Sequence, residues 1–240
     1  MANGDQPHRP HLFPQDTRTT EGYTARAAGG GGRNEVPAQD RQQHAGVLRA
    51  QIAQVAAVQE QRVADQQVAN VQTAIGVQVE FESQQGVALA AESLARDRQG
   101  IELMNVRQQG NQVLATVFVP QGKLAHFEKL ITDYMDHKVD RRGQPRDNQP
   151  LVDAILAVRV ATFASLWTDT PDALPPNDAE AIWWETWLPA GEHREQVVAD
   201  FRRLAAMAGL HVSERVLHFP ERSVAQMHGS KAQLLQSSLV

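Results

Sequence analysis

One order of elements, read twice along the chain, constrains this fold most. Val77, Val79 and Phe81 alternate with Gln78, Glu80 and Glu82. That period of two marks a half-buried strand. The spacing then predicts a short helix from Val87 to Asp97, a strand from Ile101 to Arg107, a Gln109-Gly110-Asn111 turn and a strand from Val113 to Val119. Leu124, Phe127, Leu130, Ile131 and Tyr134 mark the inner stripe of a second helix. The order is β-α-β-β-α. It returns after the proline-rich stretch Thr168 to Asp178. The second pass has a strand over Glu180–Leu188, a helix over His193–Met207, a hairpin over Leu210–His228 and a helix start at Ser230–Leu235.

A strand, a right-handed crossover and a hairpin set the third strand between the first two, with both helices on one sheet face. The expected fold class is α+β, with two ferredoxin-like β-α-β-β-α units joined by a helix. Residues 1–38, with four prolines and the run Gly29 to Gly32, read as a disordered or extended arm. A long Gln-rich helix covers 39–72, with Leu48, Ile52, Val55 and Val58 as a thin apolar stripe. The first unit covers 73–137, a connecting helix 150–168, and the second unit 179–240. Pro150 suits the first turn of that connecting helix. No fourth strand is legible in either unit, so each first strand presents an open edge.

Three of the four tryptophans fall within Ala181-Ile-Trp-Trp-Glu-Thr-Trp-Leu-Pro189. In a strand, Trp183, Glu185 and Trp187 share one face, while Ile182, Trp184 and Leu188 share the other. A ring pair on an uncovered face calls for a cover. Three readings stand: cover from the chain itself, a docking face built on Trp183, Trp187 and Glu185, or a stacking platform for bases or a ligand.

The remaining chemistry is sparse. Without cysteine, disulfides, thiolate metal sites and a cysteine nucleophile are excluded. The nine histidines are scattered, none at metal-ligand spacing, and no cofactor motif is present. His228-Gly229 matches only two residues of a subtilisin-type histidine block, and no nucleophile–base–acid set accompanies it. A net charge of −5 gives no electrostatic reason for a nucleic-acid partner. The absence of a long apolar run argues against a membrane span, and the N-terminus lacks a signal-peptide core. The expected setting is the cytoplasm.

Several stretches in order carry a resemblance: Arg9-Pro10-His11-Leu12, Tyr23-Thr24, FESQQG at 81–86, GIELMNVR at 100–107, ATVFVPQGKLAHF at 115–127, SLWTD at 165–169, AIWWETWL, and SERVLHFPER at 213–222. Together they resemble the non-catalytic N-terminal region of large bacterial subtilisin-like (S8) serine peptidases. In that family a peptidase domain with Asp, His and Ser blocks follows; these 240 residues contain no such blocks. The resemblance implies a prosegment-like module that docks on the peptidase domain, in cis or in trans, assists its folding or inhibits it. It also implies an AAA-type ATPase as a second partner. The alternatives are a stand-alone protein-interaction adaptor and, ranked last, a tandem RNA-binding module.

Overall fold

Alternating apolar residues build two antiparallel sheets, and helices cover one face of each in a computed structural model. The structure describes residues 36, 39–68, 70–71, 76–170, 173–189, 193–220 and 222–237. The arm read over 1–38 lies outside the described residues apart from Val36.

The first sheet contains β1 (Gly76–Ser83), β2 (Glu102–Gln109), β3 (Gln112–Pro120) and β4 (Ile155–Val160) in the order β2-β3-β1-β4. Every neighbouring pair is antiparallel. Val77, Val79 and Phe81 face inward with Ala115, Val117 and Val119. Two helices lie on that face, α1 (Arg41–Val68) and α2 (Ala125–Met135). α1 contributes Ala45, Leu48, Ile52 and Val55, all at most 1% exposed, and α2 contributes Phe127, Leu130, Ile131 and Tyr134. The stripe on α1 therefore begins one turn earlier than its sequence pattern indicates, and Val58 is partly exposed. Beyond it, buried Gln59 donates to the Val119 carbonyl.

Two expected helices are corrected. Residues 87–97 form no α-helix; 3-10 turns occupy Ala91–Leu94 and Asp97–Gln99. The reason is space. α1 already packs beside α2 against β1 and β4, so a third helix has no place there, and Leu94 reaches the core from a turn. The connecting helix expected over 150–168 is three elements: α3 (Gln149–Ala154), β4 and α4 (Phe163–Leu166). In Ile155-Leu-Ala-Val-Arg-Val160 only Ile155 and Val158 are buried, a spacing of three that imitates a helix. β-Branched content and pairing with β1 decide for a strand. The first sheet thus has the fourth strand that its sequence does not announce. Gln51 Oε1 of α1 accepts the Val158 N–H, which ties α1 to β4.

The second sheet has β5 (Ala181–Pro189), β6 (His211–His218) and β7 (Arg222–Ser230) in the order β5-β7-β6. α5 (Arg194–Met207) covers its inner face with Val198, Phe201 and Ala205, against Trp184, Leu188, Ala225 and Met227. The Ser230 side chain caps α6 (Lys231–Gln236) by accepting from the Gln233 N–H. Gly229 sits where a side chain would collide with Leu210.

α4 joins the two sheets within the compact unit Asn34–Val240. Thr162 and Ser165 close it in a reciprocal capping box. On one side its carbonyls meet the outer face of the first sheet. Asn105 Nδ2 donates to Ser165 O (2.9 Å), Thr116 Oγ1 to the same oxygen (3.2 Å), and Arg107 Nη1 to Ala164 O (2.8 Å). On the other side Phe163 and Trp167 meet the Trp184 ring edge-on, with centroids 5.7 and 5.9 Å away. An ion pair between Arg222 of β7 and Glu102 of β2 (2.9 Å) adds a second tie.

Glu80 lies beneath α4, 1% exposed, between Arg107 (2.7 Å) and Arg159 (2.6 Å). Burial alone raises the Glu80 carboxyl, but hydrogen bonds with Ser165 and Arg107 and the two guanidinium charges outweigh it and hold the pKa below its ordinary value. Its contribution to stability is therefore complete above the ordinary carboxylate range and fades as pH falls through the native value. Glu80→Gln is expected to cost about 1–3 kcal/mol at neutral pH, because Arg107 loses its carboxylate partner while Arg159, partly exposed, keeps Glu82, and to flatten the acid limb of the stability curve. Urea melts across pH check both. Trp184→Ala is expected to cost about 3–5 kcal/mol in the same assay.

Candidate docking face

The strand period sorts the β5 residues. Trp184 and Leu188 point to α5 and are 6% and 8% exposed; Trp183 and Trp187 point away and are 54% and 60% exposed. The buried indole is satisfied, since Trp184 Nε1 donates to the Gly229 carbonyl at 2.8 Å. Its cover comes from Phe163 and Trp167. The chain thus supplies a lid for the inner ring, while among the described residues Trp183 and Trp187 have none.

Register sets the rest of this face. Trp183 pairs with His228, Glu185 with Gln226 and Trp187 with Val224. Beyond them His211 pairs with His228, and Leu217 with Val224. Trp183 lies 5.0 Å from the His228 ring and 6.2 Å from His211. Trp187 Nε1 donates to Glu185 Oε1 at 2.7 Å. Glu185 thereby anchors one indole, and among the described residues no Lys or Arg pairs with it. Leu217 extends the apolar surface at 63% exposure. All three residues proposed from the sequence, Trp183, Glu185 and Trp187, stand side by side here. His211, His228 and Leu217 were missed, because only strand pairing brings them to the tryptophans.

The arrangement suits recognition by contact rather than bond cleavage. His218 Nδ1 lies 3.0 Å from Ser223 Oγ, and its Nε2 lies 3.9 Å from Glu195. This has the residue types of a hydrolase relay, but Ser223 is fully buried and no substrate reaches it. Nor is 3.9 Å a hydrogen bond. Among the described residues no group of three His, Cys, Asp or Glu could hold a metal ion. An apolar cavity of about 10 Å³ between α1, α2 and β1 is lined by Leu48, Ile52, Phe81 and Phe127. It has room for at most one water and offers it no polar partner. No described helix is long and apolar enough to cross a membrane.

No curated protein matches the chain, and neither does any solved structure. Residues 42–162 match the Y4kK N-terminal domain, a family description covering half of the chain. The match begins in α1 and ends at Thr162, the N-cap of α4. It coincides with α1 and the four-stranded sheet. On this match the chain belongs to the family of the Y4kK N-terminal domain.

Proposed function

We propose that the chain is a non-catalytic, prosegment-like module that docks on a subtilisin-like serine peptidase domain, in cis or in trans, and assists its folding or inhibits it. One observation carries the reading: two tryptophans more than half exposed, side by side on a sheet face with no cover among the described residues. Exposed rings flanked by a carboxylate and two histidines are the composition of a docking surface, in which a few aromatic anchors supply most of the affinity. The strand order β2-β3-β1-β4 supports a ferredoxin-like description of the first unit. The second unit has the same plan with three strands. The ordered resemblances to subtilisin-like precursors, spread over most of the chain, are what supports a peptidase domain as the partner. A module that binds only the folded peptidase stabilises it by mass action, which is how such a surface assists folding. The same resemblance extends the proposal to an AAA-type ATPase as second partner and to a cytoplasmic setting.

The test is titration calorimetry of the full chain into a subtilisin-like peptidase domain from the same genome, with its nucleophilic serine replaced by alanine. The Trp183→Ala/Trp187→Ala double variant is expected to fold normally, since both rings are exposed, and to bind at least about tenfold more weakly. Val47→Ala, on exposed α1 surface, is expected to bind as the parent does. Undiminished binding by the double variant, or no binding by the parent chain, overturns the reading.

A further inference from the structure

The two sheets share one plan, and the first contains what the second lacks. Aligned by position, Gly76–Ser83 of β1 corresponds to 181–188 of β5. The inward residues Val77, Val79 and Phe81 then fall on Ile182, Trp184 and Thr186, and Glu80 falls on Glu185. The pairing partners agree: Glu80 faces Thr116 at the middle of β3, and Glu185 faces Gln226 at the middle of β7. In the first sheet β4 runs antiparallel along the free side of β1, with Arg159 directly opposite Glu80. Arg159 also pairs with Glu82, the position that corresponds to Trp187. Beside β5 no described strand occupies that place. Of the usual devices against pairing, the β5 edge carries only Pro189 at its end and the single charge of Glu185. Its register with β7 runs unbroken from Ala181 to Pro189, it has no lysine, and its one carboxylate sits at the centre.

We infer that the free edge of β5 is a binding site for an extended peptide segment of a partner protein, added antiparallel as a fourth strand, with an arginine or lysine opposite Glu185. Main-chain hydrogen bonds along β5 supply affinity, and alternate side chains supply choice. The basic side chain meets the Glu185 carboxylate between Trp183 and Trp187, whose ring faces attract a cation. Apolar residues on either side of it in the segment face inward, as Val158 and Val160 do opposite Phe81 and Val79. A second copy of the chain is a poor occupant. The register that sets Trp183 opposite Trp187 of the other copy also sets Glu185 against Glu185, and like charges directly opposite are destabilising. The inference stands apart from the peptidase reading, because any protein presenting such a strand satisfies it.

The probe is a blocked, fluorescein-labelled peptide of the sequence Ala-Ile-Leu-Ala-Val-Arg-Val-Ala-Thr, copied from residues 154–162, with a twin carrying Glu in place of Arg. Fluorescence anisotropy against the full chain is expected to show binding of the Arg peptide and at least about tenfold weaker binding of the Glu peptide. Glu185→Arg is expected to reverse that preference. A reversal is a gain of binding, so it cannot come from misfolding. Amide exchange is expected to slow along β5 and not along β6. No binding at millimolar peptide, binding indifferent to the charge swap, or protection at β6 overturns the inference. Light scattering that shows a β5-mediated dimer unaffected by Glu185→Arg overturns it too.

Discussion

The seat that the first sheet provides for α4 controls where the second sheet sits. Glu80 is a buried carboxylate on the outer face, neutralised by Arg107 of β2, across β3, and Arg159 of the adjoining β4. With that charge balanced, Arg107 is held in place to donate to Ala164, while Asn105 and Thr116 bind the carbonyl of Ser165. A four-residue helix has little stability of its own. α4 persists because its capping box and these side chains satisfy its ends. It then projects Phe163 and Trp167 onto Trp184, and the three rings close the inner core of the second sheet. A charge cluster in one sheet thus positions an aromatic cluster in the other.

The same chain of contacts explains how one strand carries two kinds of tryptophan. Trp184 is consumed by the α4 contact, and its indole nitrogen is spent on Gly229. Trp183 and Trp187, one residue out of phase, face away from every described covering element. A buried indole contributes to folding and an exposed one to recognition; strand parity alone decides which is which. This division makes AIWWETWLP structural and functional at once.

Much of the fold was legible because it rests on local periodicity. The six strands other than β4, the long helix α1, α2 and α5 all carry apolar residues at the period their structure needs. β4 was hidden because its buried positions recur every three residues, so Ile155 and Val158 fit either a strand or a helix. The expected helix over 87–97 failed for a different reason. Leu89, Ala90 and Leu94 do supply helical spacing, but α1, whose buried stripe ends at Val55, takes the surface that helix needs. The docking residues Trp183, Glu185 and Trp187 were legible from alternation and composition. Their neighbours His211, His228 and Leu217 were not, since the pairing of β5 with β7 is non-local and the β6–β7 hairpin carries an irregularity between Val212 and Val216.

By itself the amino-acid sequence determined the α+β class, the two passes of a strand followed by a hairpin, and the face of β5 on which each tryptophan lies. These follow from side-chain period, which is a property of neighbouring residues. Only the tertiary structure decided that the first sheet gains β4, that α1 lies on its inner face, and that α4 caps Trp184 while no other described element covers the other two rings. Those outcomes depend on competition between distant segments for one apolar surface and one buried charge, and no local window of sequence contains both competitors.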